Sequence, residues 1–146
     1  MIEFDLSSID DWSITVDSAT LEVYESQVGD TGVNYGTYRI TSSWNENSVI
    51  WNTRPSWGGT SYDNVIADGA TGWWEFDITN LVAGWIDDSY ENYGVAITYP
   101  AGGCSPSQVC ASEYASVDPD LCPKLTIEYT VTAVEEKSWG FIKADF

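Results

Sequence analysis

At 146 residues the chain is long enough for one domain and short for two. Its 23 acidic and 5 basic side chains give a formal net charge of −18, and histidine is absent. Phosphate backbones would repel such a chain, and Ser-His-Asp chemistry, Cys-His chemistry and histidine-ligated zinc are all excluded. The opening segment MIEFDLSSID has no basic start and no long apolar stretch, so it reads as a strand rather than a leader, with Ile2, Phe4 and Leu6 on one face. Period-two alternation then recurs in ATLEVY (19–24), TYRIT (37–41) and SVIWN (48–52), and again in WWEFDI (73–78), GVAIT (94–98) and KLTIEYT (124–130). Each run is bounded by Gly, Asn, Asp, Ser or Pro, which punctuate turns. One window differs: in DITNLVAGWIDDSY, Leu81, Val82, Trp85 and Ile86 recur at helical spacing. This predicts one short helix near 80–88, capped by Thr79 or Asn80 and anchored in the core by Trp85. Several strands and one helix predict an all-β fold, an antiparallel β-sandwich. No apolar run approaches the roughly 18 residues of a membrane span. The 8 Trp, 9 Tyr and 4 Phe supply a real core, which argues against disorder.

Cys104, Cys110 and Cys122 fall within one short stretch. An oxidising compartment allows one bridge and leaves one thiol, and Cys104–Cys110, the closest pair, is the expected disulfide. Paired carboxylates such as Asp87–Asp88 and Asp118 with Asp120 are sequence neighbours in turns, not an acid and base set across a cleft, so the chain reads as non-catalytic. Acidic sandwich loops offer the oxygen ligands of a structural Ca²⁺, and that ion stays open.

In SSWNENSVIWNTRPSW, Asn45, Asn47 and Asn52 suit turns and Pro55 stiffens one. Trp44 and Trp51 are expected to pack across a tight loop, with Trp51 inward and Arg54 stacked on a ring or paired with Glu46. Sugar binding needs exposed rings. The candidates are Trp57, Tyr62 and Trp73, with Tyr35 and Tyr114 behind them. Trp73 is outward because its neighbour Trp74 has the inward parity. Five basic residues suit a neutral polysaccharide better than an acidic one.

The strings YRITSSWNENSVIWNTRPSW (38–57) and WWEFDITNLVAGWIDDSYENYGVAI (73–97), with FDLSSI, ATLEVY and SEYASVDPDLCPKLTIEY, resemble the DNRLRE domain family. These relatives of the disaggregatase repeat include alginate-type carbohydrate-binding modules. The resemblance covers about 1–131. It implies a jelly-roll-like sandwich of secreted or surface proteins, extracellular and not itself catalytic. The family has one or more strands ahead of its FDLSSI-like segment. Here the chain starts three residues before Phe4 and runs 15 residues past its closing strand. The expected organisation is therefore a domain over 1–131 lacking its opening strand, and a tail over 132–146.

A missing strand leaves an unpaired edge that templates another strand. Trp139, Phe141, Ile142 and Phe146 make the tail a docking or donor segment, in cis or in trans. The leading expectation is thus a structural subunit that assembles with copies of itself into a filament or surface layer. The alternative is a carbohydrate-binding module for a neutral polysaccharide, appended to a secreted enzyme or adhesin.

Overall fold

The computed structural model describes residues 1–9, 13–99 and 105–132. The tail residues Trp139, Phe141, Ile142 and Phe146 lie outside that set, as does Cys104. Among the described residues, two antiparallel sheets face each other across one core.

The first sheet is built on β1 (Ile14–Gln27). Ala19, Leu21 and Val23 are buried, while Thr20, Glu22 and Tyr24 between them are half-exposed. That is the parity of a strand with one wet face. β4 (Gly72–Asp77) runs along one edge of β1, matching Leu21 to Phe76 and Val23 to Trp74. β7 (Lys124–Val131) takes the other edge over Ile14–Glu22. β6 (Gln108–Val109) continues that edge at Glu25, past which the register shifts.

The second sheet centres on β2 (Asn34–Arg39), with β3 (Asn64–Ile66) on one side and β5 (Val95–Thr98) on the other. Ile2 then pairs with Val95 on the free edge of β5, exchanging backbone hydrogen bonds of 2.9 and 2.8 Å. Gly94 makes this approach feasible. Its φ is +86°, and a Cβ there would collide with the Ile2 carbonyl oxygen.

Phe76, Leu21, Ile78, Leu81 and Val82 are fully buried between the sheets. Each such side chain contributes about 1.5–3 kcal/mol by removal from water. α1 (Thr79–Ile86) closes one end and sinks Leu81, Val82 and Trp85 into the core, as its spacing predicts. Its cap differs from expectation. Neither Thr79 nor Asn80 caps it; the Asp77 carboxylate accepts from the Thr79 N–H at 2.9 Å and from its hydroxyl at 2.6 Å. The Thr79 hydroxyl oxygen is used elsewhere, accepting from the Ala19 N–H at 2.9 Å and tying α1 to β1.

Two predicted strands are not strands. Only Ile2 of the opening segment pairs, although Phe4 and Leu6 still pack on the core. SVIWN becomes a turn followed by a 3-10 helix over Trp51–Thr53. Its backbone donors are taken locally: the Asn45 carbonyl accepts from Ser48 and Val49, and the Thr53 hydroxyl accepts from Ile50 N–H. Such local bonds compete with a ladder. Trp51 is consequently 75 % exposed, which overturns its inward assignment. Tyr35 is also corrected: it is buried, its ring 4.7 Å from Trp74.

Candidate functional site

Residues 41–57 leave the end of β2 and return beside it. Ile40 bridges Trp57, Thr41 N–H donates to Ser56 O, and Gly58 N–H donates to Arg39 O. The excursion lies over the outer face of the second sheet. There it forms a groove of about 310 Å³ lined by Met1, Ile50, Trp51, Arg54, Trp57 and the β5 residues Ala96–Thr98. Tyr38 is the register partner of Ala96, so it belongs to the same outer face.

Trp51 and Ile50 are the most solvated large apolar side chains of this region, at 75 % and 62 % exposed. An exposed indole normally samples several rotamers. This one has a stacking partner that favours one of them: the Arg54 guanidinium lies 3.8 Å over its ring and 5.4 Å from that of Trp57, and its Nη1 donates to the Trp51 carbonyl at 2.6 Å. Arg54 stacks as expected, on Trp51, but Trp44 and Trp51 go separate ways. The Trp44 indole N–H donates to Tyr93 O at 2.9 Å and so serves as a brace.

The three ring candidates fall in three places. Trp57 lines the Trp51 groove. Tyr62 lines a second cleft at the end of the sandwich, with Arg39, Asn80 and Tyr90. Arg39 sits 4.1 Å over the Tyr90 ring, and burial pushes the Tyr62 hydroxyl above its ordinary pKa. Trp73 stands on the outer face of the first sheet, edge-on to Tyr24 at 5.4 Å with the Lys124 ammonium 4.4 Å from its centroid. Tyr114 lies in the 3-10 helix Ser112–Ser116 and lines none of these sites.

All three cations of the described residues, Arg39, Arg54 and Lys124, therefore lie on aromatic rings in a chain with 23 carboxylates. The key residue that alternation concealed is Trp51. The signal available for it was the density of turn formers around it, SSWNENS before and NTRP after, which favours a loop over a strand.

Cys110 is buried and Cys122 half-buried, both with free thiols; Cys104, the expected partner of Cys110, is outside the described residues. Among the described residues no three His, Cys, Asp or Glu side chains converge on a metal position. Glu46 and Glu113 do meet: a shared hydrogen bond and the Glu113 charge hold Glu46 above the ordinary carboxylate range. A backbone hydrogen bond, then that same contact, hold Glu113 below it.

The model of carbohydrate-binding module family 96 matches residues 1–129. No curated protein matches the chain. With nearly the whole domain covered, the chain belongs to this carbohydrate-binding module family, the broader of the two levels that its resemblance implied; the match carries no DNRLRE label.

Proposed function

We propose that this chain is a non-catalytic module that binds a neutral polysaccharide through the Trp51–Trp57 groove. The observation that carries the reading is Trp51: an indole three-quarters exposed, with the Arg54 guanidinium stacked on one face at 3.8 Å. A pyranose presents a C–H face that stacks on such a ring, and a ring already biased to one rotamer loses less entropy on binding. Arg54 is occupied by the two indoles and the Trp51 carbonyl, and it is the sole cationic side chain lining this groove. A polyanion would therefore meet a surface of net charge −18 with little to compensate it. A neutral glycan meets no such barrier. The setting we infer is extracellular, where such polymers are found.

The strand-exchange reading drew on the tail, which lies outside the described residues. The edge of β5 at Val95 is meanwhile occupied within the chain by Ile2. Family membership supports the carbohydrate-binding alternative over that reading.

Affinity electrophoresis against soluble glucan, mannan, galactan and polyuronate tests the proposal. Retardation in at least one neutral gel, unchanged by added salt, is the expected result. Retardation in polyuronate alone, or in no gel, overturns it.

A further inference from the structure

The Trp51 groove lies on the outer face of the second sheet, and Trp73 lies on the outer face of the first. Stacked sheets are about 10 Å apart and turn their outer faces in opposite directions. One extended glycan strand cannot touch both. We infer that the module carries a second, independent glycan face around Trp73 and so holds two polysaccharide strands at once. This rests on the proposed sugar-binding function and extends it from a one-site module to a cross-linker.

The Trp73 face is organised by register. On the outward side the rows across the sheet run Trp73–Tyr24, Glu75–Glu22–Lys124 and Asp77–Thr20–Thr126, with the β1 residue in the middle of each three-residue row. Trp73 remains 37 % exposed, with the Tyr24 ring edge-on to it and the Lys124 ammonium over one face of its ring. Lys124 crosses over β1 to reach it, passing Glu22, its own register partner. The device repeats that of the groove: an outward indole with a cation set on the ring.

The surroundings select the occupant. Trp73 is flanked on this face by Tyr24, by Lys124 and by the carboxylates Glu22 and Glu75, so its apolar surface is limited to one aromatic pair. A stable protein interface needs an apolar core of some extent, which this face lacks. A second copy of the chain, also at −18, would be repelled. Carboxylates accept hydrogen bonds from sugar hydroxyls, and the ring supplies the stacking surface. The occupant is therefore a second strand of neutral glycan.

Bivalence makes a distinctive prediction, because linked faces raise avidity on a polymer well beyond either affinity alone. The probes are a neutral polysaccharide that retards the protein and a short oligosaccharide of it, titrated by calorimetry. Wild type should bind two oligosaccharides per chain and turn polymer solutions turbid. Trp73→Ala and Trp51→Ala should each bind one oligosaccharide and leave the polymer clear, and the double variant should bind none. Lys124→Ala, which leaves the ring in place, guards against misfolding of Trp73→Ala: it should weaken one of the two sites severalfold and spare the other. A Trp73→Ala protein that still binds two and still cross-links overturns the second face. One oligosaccharide per wild-type chain, lost entirely in Trp51→Ala, overturns it while leaving the groove intact. A wild type that binds no neutral glycan overturns both.

Discussion

Replacing Trp51 by alanine removes the stacking surface without opening the core, since the side chain is 75 % exposed. Arg54 already covers one ring face at 3.8 Å. A fully buried Trp covers about 150–250 Å², so the free face offers a sugar roughly 100 Å². At about 25 cal/mol per Å² this is worth about 2.5 kcal/mol. A loss of that size weakens binding about 60-fold. The assay is calorimetric titration of wild type and Trp51→Ala with the best neutral ligand, alongside thermal unfolding. The expected result is a large loss of affinity at the groove site with a melting temperature within a few degrees of wild type, because exposed substitutions rarely shift stability by more than about 0.5 kcal/mol. Unchanged affinity would refute the assignment of Trp51 as the stacking ring. A matching collapse of stability would show instead that Trp51 braces the loop.

Gly94→Ala should destabilise the fold by roughly 1–3 kcal/mol, since the position has φ of +86° and an added methyl displaces Ile2 from the edge of β5; chemical denaturation measures this, and a neutral outcome would mean that the Ile2–Val95 pairing adds nothing. Glu25 is fully buried and neither carboxylate oxygen has a hydrogen-bond partner. Glu25→Met should therefore raise stability by about 1–3 kcal/mol, a buried carboxyl without hydrogen-bond partners being costlier than a thioether; a variant less stable than wild type only in Ca²⁺ would reveal a cation at this position. The Thr79 hydroxyl and N–H hold the Asp77 carboxylate below its ordinary range. A group depressed in the folded state stabilises above its unfolded pKa and loses that contribution as pH falls through the folded value. Asp77→Ala should thus cost about 0.5–1 kcal/mol near neutral pH, and the two melting curves should converge in acid; a constant difference down to about pH 2 would contradict the linkage.

Much of the fold was legible from the chain alone because burial imposes a period. Ala19, Leu21 and Val23 against Thr20, Glu22 and Tyr24, and Trp74 and Phe76 against Trp73 and Glu75, announce strands with one wet face. Leu81, Val82 and Trp85 announce α1 in the same way. The outward placement of Trp73 follows from that parity. Alternation misled at SVIWN, because a two-residue period also arises by chance in a loop; the surrounding turn formers favour that loop, and the local hydrogen bonds of Asn45 and Thr53 complete it. β3 and β6 are three and two residues long, too short to carry any period, and exist only because β2 and β1 offer edges to pair with. The groove itself was beyond the sequence. It joins Met1, Trp51, Trp57 and Thr98, residues spread over almost the whole domain, and what brings them together is the return of the 41–57 segment over β5. Composition and periodicity determine which side chains leave the core, but the register between distant strands decides which of the excluded rings become neighbours, and that register is set by long-range pairing that no local pattern encodes.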